Sequence, residues 1–343
     1  MNETPTPLPV ITVSPAAVGT VPTVQSVEMT MRSAVQNIQL QLSGTYDQSV
    51  GAEAMATEGN PALIDSIWIE ADGERVREWK GPALYEANRI MGGAALAQVD
   101  PAVGVAAGKA FSATLQLDMG RLDLKDWTNP QTGKPESLSA MTFLNLARVK
   151  ANVFLRVQFA AFSRYVSGNT QANITYTLRA TVDELPGYVP QLVQGKQLHF
   201  ALIPVQTDVD MNVTGTDRKV PLLRDGYLTR GLLLRIGTFN TTPNVTAATP
   251  LTNLGVKQTL KKSGLAIEVK PKLPISVYQQ AVGNGRNGIT LRAGYLWIDF
   301  ASNKQFGGLQ KGGDLTAFDL VYDSAAVAGY QMQVFQACTY VGR

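Results

Sequence analysis

The sequence has 343 residues but one cysteine, Cys338, and one histidine, His199. A lone cysteine excludes an internal disulfide framework and any zinc site built from several cysteines. Cys338 itself reads as a small apolar residue of a C-terminal strand. A lone histidine excludes the two- and three-histidine metal centres of β-barrel enzymes and leaves room for one Ser/His/Asp triad at most. In QLHFALIPV, beside Phe200, His199 reads as a packed or surface strand residue, and no G-x-S-x-G stretch supports a catalytic one.

Charge is also scarce. Only 17% of residues are charged and the formal net charge is +3. The strong basic excess of a nucleic-acid-binding surface is therefore missing. Long apolar runs are missing too. The nearest, AALAQVDPAVGVAAG, is broken by Asp100 and Pro101. It is shorter than the run of ~18 residues that a spanning helix needs. Residues 1–26 carry Pro5, Pro7, Pro9, Pro15 and Pro22 with Glu3 as their one charge. They lack the basic and unbroken apolar regions of a secretory signal and are expected to form an extended N-terminal arm.

What remains is a chain long enough to bury roughly three quarters of its unfolded surface. It is 45% hydrophobic, with a polar remainder of Thr, Ser, Asn, Gln and Gly that suits strands and turns. Period-two alternation dominates. Val27, Met29 and Met31, then Ile38, Leu40 and Leu42, then Phe111, Ala113, Leu115 and Leu117, then Ile174, Tyr176, Leu178, Ala180 and Val182 each define one apolar strand face. ANVFLRVQF, GLLLRIG, GLAIEVK, AFDLVYD and GYQMQVF add further strands. One short helix is expected at 82–91, with Pro82 in its first turn, Leu84, Ala87 and Met91 on one face and Gly92 at its end. SLSAMTFLNLAR fits either state. DELPGYVPQLVQGKQ interrupts the pattern and marks a linker near residue 190. The expected domains are therefore 1–26, an arm, and two β domains at 27–190 and 191–343. Each has roughly 150 residues, enough for about eight strands, the number that closes a jelly roll. The expected fold is all-β, two tandem eight-stranded jelly rolls with few short helices.

The motifs yield little chemistry. Gly283, Gly285 and Gly288 of GNGRNG match the G-x-G-x-x-G phosphate loop, but that loop needs a strand before it and a helix after it. Here Leu296, Ile298 and Phe300 announce a strand after it. GNGRNG is therefore read as a loop joining two antiparallel strands, with Gly294 at a bulge. The acidic pairs Asp72/Glu74, Asp183/Glu184 and Asp208/Asp210 could serve glycoside hydrolysis only if two carboxylates converged. Asp72 beside Gly73 and Asp183-Glu184 before the linker read instead as solvated turn residues. Lys257, Lys261 and Lys262, near Lys270 and Lys272, form the one dense basic cluster and read as a solvated strand edge that resists unwanted pairing. The sequons at Asn173, Asn212, Asn240 and Asn244 carry no weight without a secretory signal. No catalytic, cofactor-binding or metal-ligating residue is nominated, and no cofactor is expected.

The arrangement as a whole carries a resemblance. A strand-turn-strand over IWIEADGERVREW is followed by the short helix at 82–91. A second half opens with LLRDGYLTRGLLLRIG and closes through GYLWIDF. From about residue 25 the chain resembles the double jelly-roll major capsid proteins of tailless icosahedral phages with an internal membrane, a lineage that includes adenovirus-like capsids. The resemblance implies a non-enzymatic virion protein, made in the host cytoplasm, whose homotrimer forms a capsomer of six-fold outline. It further implies contacts with neighbouring capsomers and with penton and minor capsid proteins, peripheral contact with an internal membrane, no specific nucleic-acid binding, and an arm that orders against a neighbour or beneath the capsomer. Obligate interfaces of this kind bury more than ~2,000 Å². Two alternatives stay open at this point. One is a receptor- or carbohydrate-binding spike, which solvent-facing Tyr188 or Trp127 would favour. The other is a β-sandwich carbohydrate-active enzyme.

Overall fold

The structure, a computed structural model, describes residues 4–92, 96–120, 127–128, 135–136, 142–190, 192–193, 196–239, 244–245, 250–285, 290–300, 310–311 and 315–341. Two units divide the chain: residues 1–120, 140–191 and 240–244 form one, and residues 121–139, 192–239 and 245–343 the other.

The first unit is an eight-stranded roll. Its strands are β1, in two pieces at Thr4–Pro7 and Ile11–Val13, then β2 (Gln25–Met29), β3 (Ala34–Val50), β4 (Ile64–Ala71), β5 (Glu74–Trp79), β6 (Ala106–Asp118), β7 (Val153–Phe159) and β8 (Thr170–Leu185). They form two antiparallel sheets, a larger one ordered β1-β8-β3-β6 and a smaller one ordered β2-β7-β4-β5. Short strands at Gln98–Val99 and Leu144–Asn145 extend the larger sheet. The alternation read from the sequence is the cause of this layering. Ile38, Leu40 and Leu42 of β3, Leu115 and Leu117 of β6 and Leu178 of β8 meet Leu155 and Val157 of β7 in one core. Asp72 and Gly73 hold φ of 53° and 82° between Ala71 and Glu74. This is the two-residue left-handed turn that matches strand twist.

The second unit repeats the scheme with β9 (Lys196–Asp210), β10 (Gly215–Pro221), β11 (Tyr227–Thr238), β12 (Leu251–Leu260), β13 (Ala266–Pro274), β14 (Tyr295–Asp299), β15 (Leu315–Ser324) and β16 (Gln331–Val341). Its sheets are ordered β9-β16-β11-β14 and β10-β15-β12-β13, each position offset by eight from the first roll. Leu232, Leu234, Leu254, Val256, Ile298, Phe318, Leu320 and Val334 fill the space between them. The repetition extends to the helices. α1 (Gly81–Gly92) follows the fifth strand of the first roll and α2 (Ile275–Gly285) the fifth strand of the second.

Three expectations are corrected. The arm does not order against a neighbour over residues 4–13: this segment is β1, the first strand of its own roll, in register with β8 as Thr4 with Glu184 and Pro7 with Thr181. Leu8, Ile11 and Val13 enter the core. Prolines are tolerated because the Leu8 N–H points at the Ala180 carbonyl (2.9 Å). That direction turns the nitrogens of Pro5, Pro7 and Pro9 toward the open edge, where no ladder bond is lost. Second, GNGRNG does not join two strands. Gly283 and Gly285 end α2, and Gly288 lies outside the described residues. The order is therefore helix, glycines, strand, the reverse of a phosphate-binding loop. Gly294, with φ of 80°, lies in a tight turn closed by the Tyr295 N–H on the Arg292 carbonyl, not at a bulge. Third, Asp183 and Glu184 belong to β8, and Asp183 is buried. The ambiguous SLSAMTFLNLAR supplies the Leu144–Asn145 strand and a 3₁₀ turn at Leu146–Arg148, and its residues 137–141 lie outside the described ones.

Candidate interaction surfaces and buried polar sites

The acidic pairs do not converge. Asp183 and Glu184 are neighbours on a strand, at a register shift of the β8–β3 ladder, and bind different partners. Asp183 accepts from the Gln39 amide (3.0 Å), and Glu184 from the Thr6 and Ser33 hydroxyls (2.7 and 2.5 Å). Asp72 caps the amides of Lys150 and Ala151 (3.4 and 2.6 Å), and Glu74 begins β5. Asp208 and Asp210 are exposed on β9. His199, half-buried on β9, lies against the Tyr340 ring with centroids 5.5 Å apart. Cys338 is buried in β16, as its apolar neighbours require. Lys257 pairs with Glu268 (3.3 Å) and Lys261 with Asp225 (3.6 Å), while Lys262 is exposed in the hairpin between β12 and β13. Tyr188 is not a solvent-facing platform: it packs on Ala34, Phe143 and Leu185, and burial pushes its hydroxyl pKa up. Trp127 is described in backbone only. Asn173 donates to Asp47 (2.6 Å), Asn212 accepts from the Gly329 amide (2.6 Å), and Asn240 lies outside the described residues. Among the described residues no group of three or more His, Cys, Asp or Glu side chains could hold a metal ion.

The polar sites that the fold does assemble are ties between loops. In the first roll the Glu53 carboxylate, fully buried, accepts from the Tyr46 hydroxyl, the Lys109 ammonium (2.5 Å) and the Gly104 amide (2.9 Å). Lys109 also donates to the Gly104 carbonyl (2.8 Å). Burial alone would raise the Glu53 pKa. The three donors outweigh it and hold the carboxyl below its ordinary value, whereas burial and Glu53 push the Tyr46 hydroxyl well up. Beside this tie, Asp100 accepts from Asn60 (3.0 Å) and Tyr165 (2.8 Å), fastening the loop before β6 to the one before β4. In the second roll Asp323 collects Lys272 (2.5 Å), the Asp217 amide and Asn253 (both 2.9 Å), and Arg230, fully buried, pairs with Asp299. Sequence reading missed all of these. Their one signal is an isolated charge in an apolar context, as in GAEAMA around Glu53 and AGKAF around Lys109.

The outer faces of the sheets differ in chemistry. On the small sheet of the first roll, Arg156 pairs with Glu70 (2.8 Å) and Arg75 with Glu78 (3.2 Å). The large sheet presents three rows in register across β8, β3 and β6: Thr177-Ser43-Ser112, Arg179-Gln41-Thr114 and Thr181-Gln39-Gln116. Arg179 is their one charge. A groove of about 470 Å³ opens here, with Arg179, Gln39, Gln41 and Thr114 on its floor and Val10 at its rim. At the equivalent row of the second roll stand Phe335, Leu233 and Trp297.

No family model and no curated protein sequence matches the chain. Solved structures do. The MCP of Sulfolobus turreted icosahedral virus (STIV) aligns with a TM-score of 0.65 at 12% identity, covering 97% of each chain. The major capsid protein P2 of bacteriophage PM2 aligns with a TM-score of 0.59 at 11% identity, over 100% of this chain and 98% of that one. The Faustovirus major capsid protein gives 0.56 at 8%, over 100% and 91%. The fold is a double jelly roll. At these identities the likeness fixes architecture, and the two rolls of this chain together span nearly the whole length of each of those proteins.

Proposed function

We infer that this double jelly roll is the major capsid subunit of an icosahedral virion. The observation that carries the reading is the duplication itself, an eight-strand order repeated without change in one chain, coextensive with structures whose names are those of capsid proteins. A closed trimer of such chains contains six similar rolls, so a three-fold building block gains a nearly hexagonal outline and can tile a lattice of six-fold neighbours. Function then resides in contacts, and no substrate is turned over. The ties at Glu53 and Asp100 suit that role, because they rigidify loops that a lattice contact would otherwise have to order at an entropic cost.

The same reading places the protein in the virion after synthesis in the host cytoplasm. It adds penton and minor capsid proteins as partners and a peripheral contact with a membrane beneath the shell. Native mass followed by negative-stain imaging of the same peak tests the core of it. The expected result is a trimer of about three times 36.9 kDa with a hexagonal outline. A chain that stays monomeric up to millimolar concentration would refute it. Flotation of the trimer with lipid vesicles separately tests the membrane contact.

A further inference from the structure

One end of the first roll's large sheet gathers oxygen ligands in a row. Val182, Ile38 and Leu117 lie side by side in register on β8, β3 and β6 and belong to the core. The adjoining residue on each strand faces outward, and these three are Asp183, Asn37 and Asp118, again directly opposite one another. Side chains so placed have Cβ atoms about 4.5–5.5 Å apart. Asn37 therefore stands between two carboxylates, with each in reach of its amide.

The row is short of positive charge where it is most buried. Asp183 is 6% exposed, yet the partner it has is the neutral Gln39 amide (3.0 Å), and it makes no ion pair among the described residues. Asn37 is also 6% exposed, and its side-chain carbonyl oxygen is sealed from solvent with no hydrogen-bond donor. Asp118 accepts from the Gln116 amide (2.7 Å) and, at longer range, from Asn88 (3.5 Å). Along β8 the next outward charge is Arg179, four residues off and thus about 13 Å away. A buried carboxylate and a buried orphan carbonyl both cost free energy unless something positive meets them. A single cation would meet both at once.

We propose that Asp183, Asn37 and Asp118 form a site for a calcium-sized divalent cation, which ties the ends of β6 and β8 to the start of β3. The donor set selects the ion. Two carboxylates and an amide carbonyl are hard oxygen ligands, with none of the nitrogen or sulfur that zinc and copper favour. Calcium accepts about six to eight oxygens in a loose geometry, with water completing the shell, whereas magnesium demands a near-ideal octahedron and gives up its water reluctantly. Gln39 and Gln116 each engage one oxygen of a carboxylate and so orient it, the part that outer-shell groups play around metal ions. With three protein ligands the site belongs to the weak calcium class, with a dissociation constant of about 0.1–1 mM. It is independent of the capsid-subunit reading, and neither fails with the other.

Calcium titration of the full chain, first freed of metal by a chelator, tests this by calorimetry and by thermal unfolding at one protein concentration. Wild type is expected to bind one calcium per chain and to melt about 3–10 °C higher in about 10 mM calcium. The rise should be smaller in magnesium and absent in sodium at equal ionic strength. Asp183→Asn should weaken binding at least tenfold. Asn37→Asp, which sets a third carboxylate at the centre of the row, should tighten it at least tenfold while lowering the melting temperature without calcium. A residue that only packs would not give that pair of changes. Asp210→Asn, on an exposed part of β9, should leave binding unchanged. Should Asp183→Asn misfold, Asn37→Asp carries the test. Equal shifts in calcium, magnesium and sodium, no binding by wild type up to about 10 mM, or calcium binding that neither variant alters would each overturn the site.

Discussion

Replacing Lys109 by Met is the perturbation that most directly tests how the first roll is held together. The Lys109 and Glu53 side chains are 4% and 0% exposed, and their separation of 2.5 Å makes them one buried ionic unit. Deleting the ammonium leaves a buried carboxylate with two donors, the Tyr46 hydroxyl and the Gly104 amide, out of three. Removing one partner of such a pair costs about 3–5 kcal/mol, because the other charge stays desolvated. At about 2–4 °C per kcal/mol for a domain of about 150–250 residues, the melting temperature of the first roll should fall by about 6–20 °C. The double variant Glu53→Gln/Lys109→Met removes both charges, while the amide oxygen can still accept from the Gly104 N–H and the amide NH2 can donate to the Tyr46 hydroxyl. It should recover much of the loss, since a buried pair replaced as a whole is often close to neutral and the Tyr46 hydroxyl can turn to accept from the amide NH2.

The assay is urea unfolding of wild type, both single variants and the double variant at one fixed protein concentration, because assembly itself adds to apparent stability. A coupling energy above about 1 kcal/mol is the expected signature of groups in contact. Additive single-variant losses, with the double variant as weak as their sum, would refute the claim that the tie acts as an ion pair.

Acid should act on the same groups. Glu53 and Asp323 have folded-state pKa values below their ordinary 4.5 and 3.8. Each therefore contributes stability that is complete above those ordinary values and is lost as pH falls through the lower folded ones. The urea midpoint should drop below about pH 4, and Glu53→Gln should flatten that slope. Lys272 has the opposite sign. Asp323 and then Asp217 raise its pKa above 10.5. Its contribution is present below that value and lost only in strong alkali, a loss that a Lys272→Met variant should not show. In Gly44→Ala the new methyl would lie 2.5 Å from the Phe111 ring, 2.6 Å from Tyr176 Cβ and 2.7 Å from the Thr175 carbonyl. Overpacking of this kind should destabilise by about 1–3 kcal/mol, which thermal unfolding reads. Changing Pro5, Pro7 and Pro9 together to Thr should restore outward N–H donors along and just after the first piece of β1 and increase light scattering at high concentration by strand addition. Unchanged scattering would show that the prolines do not guard the edge.

The strands were legible wherever one face is buried and the other is not, because burial then writes a period of two. β7 is the clearest case, with Val153, Leu155, Val157 and Phe159 buried in alternation. Signals were lost where local chemistry imitates something else. β1 reads as an arm because Pro5 and Pro7 occupy the outward nitrogens of its first piece, a distinction that only the register against β8 reveals. α2 was hidden by the β-branched Ile275 and Val277 and by the glycines that end it, which resemble a loop. Asp183-Glu184 reads as a turn because Pro186 follows closely, although the strand runs on through Leu185. The tie of Glu53 to Lys109 joins residues 56 positions apart, so each appears in sequence as a stray charge and only the fold makes them a pair. The uncharged rows around Arg179 are the outward half of the same alternation that revealed the core, and their meaning depends on which strands lie side by side.

The edges and faces of the rolls together constrain how copies can meet. The first piece of β1 withholds its outward donors through Pro5 and Pro7. The corresponding edge strand β9 is interrupted by register shifts at Pro204/Gln206 and Gln206/Val209 and carries Asp208 and Asp210 on its exposed end. At the edge of the second roll's small sheet, β13 carries Lys270, Pro271 and Lys272 in succession. Each device opposes growth of a sheet from one copy into the next, the association mode that gives open fibres. With these edges closed, association falls to faces, and faces fix a defined angle between neighbours because side chains must interdigitate across them. The capsid-subunit reading proposed above requires such a defined angle, because a contact that extends a sheet from copy to copy does not close. Under the capsid-subunit reading, the prolines on β1 serve that requirement by removing the extensible contact.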